Sequence, residues 1–191
     1  NGGGSSVVAT DILAREGFGL TAVAPGTVAR LEALDLPAGA SGENPIDLPA
    51  NAFNRSEGRI AGGILDALAT DAGTDALLVH LNMPVLISYR QSRIVPNIVD
   101  ACIAHRGEAG PGAPHLALVL RSDGTEEVDA VRRAERGRAV AAGIPVFETF
   151  AAAARALAAL RRFEAAAAGR EDEAGQGGRA PSGQAAQGGA P

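Results

Sequence analysis

The chain has 191 residues, enough to bury one hydrophobic core, and 46% of them are apolar but only 3% aromatic, so that core is expected to be aliphatic. All 17 basic residues are arginine, which excludes a Walker-type, Schiff-base or general-base lysine, and a net charge of −5 without a basic block argues against nucleic acid as a partner. No apolar run reaches the length of about 18 residues that a membrane span needs, and no basic stretch leads into an apolar one, so the sequence reads as a cytoplasmic protein.

The opening stretch, NGGGSSVVATDILAREG, places a glycine triplet directly before an amphipathic run. Residues 5 to 16 have helical spacing, and Gly17 stops the helix. Leu20 to Val23 is a short strand candidate, and APGTVARLEAL is a second helix with Pro25 near its start. In ASGENPIDLPA, Pro45 and Pro49 forbid helix and leave an extended piece between loops. Asn54 to Ala69 follows as a helix capped by Asn54 or Ser56, with Ile60, Ile64, Leu65 and Leu68 as its apolar stripe.

TDALLVHL has the continuous apolar character of a strand covered on both faces. Residues 88 to 106 read as a helix that Pro96 should kink or split. PHLALVL is another buried strand, Glu126 to Ala142 a helix closed by Gly143, IPVFE a strand, and Phe150 to Ala167 an alanine-rich helix. This alternation predicts an α/β fold, a flavodoxin-like three-layer parallel sheet with helices on both faces, over residues 1–168. In that fold a strand precedes the first helix, so the sequence is expected to start just after it. From Gly169 on there is no Val, Ile, Leu or aromatic residue, and residues 169–191 are expected to form a disordered tail.

Ligands of open parallel sheets bind beyond the carboxyl ends of the strands. Four loops qualify. In the first, the amides of Gly3, Gly4 and Ser5 open a helix and suit a phosphate or carboxylate; the alternative is a tight turn or a frayed end. In the second, Asn44 and Asp47 of NPID shape the crevice, unless Asp47 simply caps a helix. In the third, Asn82 and Met83 of LNMP follow a strand, at a place where substrate contacts lie or the chain merely turns. In the fourth, Arg121 meets an anion or is a surface charge. His80 reads as a buried strand residue, His105 as a helix C-terminal cation and His115 as exposed. Cys102 reads as a small core residue rather than a nucleophile. No spacing suggests a metal site, and no Ser or Cys has a visible base.

Taken together, NGGGSSVVATDILAREGFGL, then NPIDL, DALLVHL and AAGIPVFETFAAAARALAAL resemble the NDP-forming acyl-CoA synthetase family, which includes ADP-forming acetate-CoA ligase and is related to succinyl-CoA synthetase. The likeness covers residues 1 to about 168, as the last flavodoxin-like domain of the alpha portion. It implies a ligase that makes an acyl-CoA from a carboxylic acid, CoA and ATP with magnesium, through an acyl phosphate and a phosphohistidine. By position, Asn1, Gly2, Gly3 and Gly4 would contact phosphate or the acid's carboxylate, and Asn82 and Met83 would border the acyl group. The family's phosphohistidine, CoA-binding domain and ATP-grasp domain have no match in these residues, so they would be partners, in the same chain or as a subunit, and the piece alone would not complete the reaction. The rival expectation is a non-catalytic module of the same fold that binds an anion or an acyl phosphate, or serves only for interaction.

Overall fold

The computed structural model describes residues 3–69, 71, 73–90 and 92–177, of which 171–177 are described by their backbone path alone. The elements run α1 (Gly3–Arg15), α2 (Pro25–Glu32), α3 (Ala50–Ser56), α4 (Ile60–Ala69), β1 (Ala76–Asn82), α5 (Met83–Ile87), α6 (Ile94–Glu108), β2 (His115–Arg121), α7 (Glu126–Ala141), β3 (Val146–Phe147) and α8 (Phe150–Gly177). The three strands form one parallel sheet in the order β1-β2-β3, with Ala76 opposite His115, Asn82 opposite Arg121 and Leu118 opposite Val146. α8 packs on β2 and β3 with α1 against it, while α4, α6 and α7 pack as neighbours and α7 reaches β3. The result is the flavodoxin-like three-layer α/β fold that the alternation of strands and helices predicts.

β2 explains itself from composition. Its five inner residues, Leu116 to Leu120, are all buried, as expected of a strand with neighbours on both sides and helices above and below. Around it close Leu81, Met83, Leu86, Ile94, Ile98, Val99, Cys102 and Ile144, an aliphatic core with no tryptophan. α7 is set by its ends: Glu126, Glu127 and Asp129 lie in the first turn and Arg138 in the last, matching the helix dipole. Gly143 ends it at φ +78°, and the Ile144 amide donates to the Ala139 carbonyl at 3.0 Å. Arg138 ties α7 to α6, bonding Glu135 at 2.6 Å on its own helix and Asp100 on the other.

The structure corrects several expectations. Leu20–Val23 belongs to no sheet among the described residues, because no described strand lies beside it to complete a ladder. The helix expected over 54–69 is two helices, since Glu57 (φ 49°) and Gly58 (φ +84°) turn left-handed between them; Asn54 and Ser56 therefore lie at the end of α3 and do not cap α4. The helix expected over 88–106 starts only at Ile94, as α6, and Pro96 does not break it. Pro96 sits in the first turn of α6, where its missing N–H costs no hydrogen bond, and the gap falls at residues 88–93. α8 continues past Gly169 to Gly177, a stretch in which Arg170, Glu171, Glu173, Ala174 and Gln176 favour helix; residues 178–191 lie outside the described residues.

Candidate functional site

α1 starts at Gly3 with no acidic residue in its first turn. A Cβ on Gly4 would meet nothing within 4 Å, so the helix has open space on that side. Beside Gly3 stands Asp47: a Cβ at Gly3 would lie 3.5 Å from its Oδ2. The loop that carries Asp47 is closed on itself, with the Ser41 amide donating to the Asp47 carbonyl at 2.9 Å and the Asn44–Pro45 bond cis. Thus NPID does bring its carboxylate to a helix N-terminus, that of α1, where the dipole favours it. Ser5 is half-buried in the same turn. Asn1 and Gly2 lie outside the described residues.

The other candidates divide. Asn82, at the carboxyl end of β1, accepts a hydrogen bond from Arg121 Nη1 at 2.9 Å, which follows directly from their register across the sheet. Met83 is fully buried at the start of α5, because α5 leaves the strand without a loop and turns this side chain into the core. Asn44 donates from Nδ2 to the Thr21 carbonyl at 3.0 Å. It lines a cleft of about 290 Å³ between α1, the Leu20–Val23 segment and β1.

His80 faces the same cleft, its ring 4.6 Å from that of Phe150. Burial, with the charge of Arg121 adding to it, lowers its pKa to about 4. The unfolded chain then binds the proton more readily than the folded one between about pH 6.5 and about 4, so stability contributed by neutral His80 is complete above that window and falls as the pH drops through it. Allowing for its remaining solvent contact, the expected loss is about 2 kcal/mol. Urea unfolding at pH 7.5 and at pH 4.5 checks this: the difference should shrink in His80→Phe, and an unchanged difference assigns the acid sensitivity to other groups.

The loop after β2 spends its polar groups internally. Asp123 Oδ1 accepts from the Thr125 amide and hydroxyl at 3.0 and 2.8 Å, which holds its carboxyl below the usual range, and the acidic first turn of α7 opposes an incoming anion. Cys102 is sealed in the core and burial pushes its thiol up to about 12, the state of an unreactive side chain. His115 is exposed and bonds Glu164 at 2.9 Å. Among the described residues, no group of His, Cys, Asp and Glu could hold a metal ion, and no helix is long and apolar enough to cross a membrane. The sequence reading passed over Tyr89, the chain's one tyrosine, which lines a second cleft of about 380 Å³ with Arg90 and Glu127; only its rarity in the sequence marked it.

No family model and no curated protein matches the chain. A solved structure does. The crystal structure of PH0766 from Pyrococcus horikoshii OT3 is similar with a TM-score of 0.65 and 23% sequence identity, over 84% of this chain and 33% of that one. At that identity the likeness is one of fold. The chain spans about a third of the length of that protein.

Proposed function

We propose that the chain is one domain of an NDP-forming acyl-CoA ligase, and that the leading end of α1 contributes to the site that holds the phosphoryl group or the acid's carboxylate. The reading is carried by the start of α1: glycines at 3 and 4, no carboxylate in the first turn, and open space at Gly4. First-turn amides placed this way are fixed donors for an oxyanion, and a transferring phosphoryl group depends on such preorganised donors more than on a base. The field that draws Asp47 towards Gly3 is the field that would hold the ligand. Asn82, oriented by Arg121, is the polar group assigned to the acid. In this reading CoA and ATP with its magnesium are bound by the CoA-binding, phosphohistidine and ATP-grasp domains, as separate parts of the same enzyme.

Inorganic phosphate tests the site. Titrated into the 15N-labelled chain, it should shift the amides of Gly3, Gly4 and Ser5 in NMR spectra, and Asp47→Asn should bind it several-fold more tightly because a like charge beside the anion is gone. If neither protein shows those shifts, α1 is not a phosphate-holding helix and the ligase reading loses its support.

A further inference from the structure

The second cleft, of about 380 Å³, opens among the elements that follow the carboxyl ends of β1 and β2: α5, the 88–93 segment, the first turn of α6 and the start of α7. Its floor is aliphatic, made by Leu86 and Val95, which are buried, and by Ile87 and Val131, which are half-buried. Its rim is polar. Tyr89 and Ser92 bring hydroxyls and Arg90 a guanidinium from the segment between α5 and α6, and Glu127 brings a carboxylate from α7. Among the described residues, none of these polar side chains makes a hydrogen bond or an ion pair. The neighbours on α7 set Glu127 apart, since Glu126 pairs with Arg133 at 2.7 Å and Asp129 with Arg132 at 3.0 Å; of the three acids in that first turn, Glu127 alone is unengaged among the described residues. Arg90 and Glu127 line the same cleft and leave each other unpaired as well.

We infer that this cleft binds a free α-amino acid with a branched aliphatic side chain. An aliphatic floor under a few polar groups is the make-up of a small-molecule site, and the floor takes the side chain. Arg90 meets the carboxylate with paired N–H donors, helped by the Tyr89 and Ser92 hydroxyls, and Glu127 accepts from the ammonium. The two signs of charge set the class. A phosphate or a dicarboxylate would place an anion against Glu127, a diamine would place a cation against Arg90, and an uncharged apolar molecule would answer neither. Arg90 and Glu127 are both exposed, so each charged contact contributes modestly. This inference does not rest on the phosphate site; either can fail alone.

Tyr89 is the chain's one tyrosine and there is no tryptophan, so tyrosine fluorescence reports this cleft alone. L-Leucine titrated into the protein should change that emission saturably, with half-saturation at about 1 mM or below, and should shift the NMR methyl resonances of Ile87, Val95 and Val131. Leucinamide, which lacks the carboxylate, and isocaproate, which lacks the ammonium, should each bind at least about fivefold more weakly. Arg90→Gln and Glu127→Gln should weaken leucine by a similar factor, about fivefold. The three small molecules on the unaltered protein decide the class without any variant. If leucine changes neither the emission nor the methyl resonances up to about 20 mM, the proposal is overturned. It is equally overturned if either analogue binds as tightly as leucine, because one of the two charged groups would then be idle.

Discussion

Gly58→Ala is expected to destabilise the protein by about 3 kcal/mol, lowering Tm by roughly 10 °C. Gly58 has φ +84°, a conformation that an L side chain adopts only with strain, and a Cβ there would stand 2.4 Å from the Ile94 carbonyl oxygen. That oxygen belongs to the backbone at the start of α6, so it cannot swing aside. The neighbouring link is equally tight, with Asn97 Nδ2 donating to the Glu57 carbonyl at 2.7 Å. Together these contacts lock the α3–α4 turn onto α6. Gly137 is the control: it lies in α7 with open space around it, and Gly137→Ala should stabilise by about 0.8 kcal/mol through helix propensity alone. Thermal unfolding of both variants decides the matter. A Gly58→Ala protein that melts with the parent would show that the turn is free to rearrange.

The second large effect is expected at the middle of the sheet. Leu118 is fully buried in β2, opposite Val79 on one side and Val146 on the other. Leu118→Ala removes the transfer free energy of three carbon atoms and leaves a void that rigid strands close poorly, a loss of about 3–4 kcal/mol. Urea unfolding should show a lower midpoint with an unchanged slope, since the surface exposed on unfolding is nearly the same. Val140→Ala, on an exposed position of α7, should change the midpoint little. Similar losses at the two positions would mean that the sheet can collapse around a missing side chain.

The elements that the sequence discloses are those whose pattern is decided locally. β2 is legible because a five-residue apolar stretch, Leu116–Leu120, between His115 and Arg121 has few other ways to fold, and α7 because acids open it and Gly143 closes it. The misreadings fall where the outcome depends on neighbours or on one residue's backbone. Leu20–Val23 has strand chemistry, but a strand exists only beside a partner. The break between α3 and α4 was written in Glu57-Gly58, a left-handed C-cap signal that continuous apolar spacing on either side conceals. Pro84, at the start of α5, marks a helix that begins directly at the end of β1, and Pro96, where a kink is expected, lies in the first turn of α6.

The candidate site was legible in type and less so in partnership. Spacing predicts a helix over 5–16, and α1 takes in Gly3 and Gly4 as well; that Asp47 sits at a helix N-terminus is one of two readings, and which helix it serves depends on the path of the 33–49 loop, which no local pattern specifies. Asn82 and Arg121 meet because β1 and β2 are in a register that sets their last residues side by side. The burial of Met83 is equally non-local: with no loop after β1, its backbone turns inward at once.

The cations of the ion pairs on the helix surfaces, Arg132 between Asp129 and Glu148 and Arg138 between Glu135 and Asp100, are all guanidinium groups. A guanidinium offers several N–H donors in a plane, so one residue can clasp two carboxylates at once where an ammonium would act as a single point. It also keeps its proton through the whole alkaline range in which lysine amines discharge. These clasps therefore loosen from the acid side alone, and reagents that modify amines leave them intact.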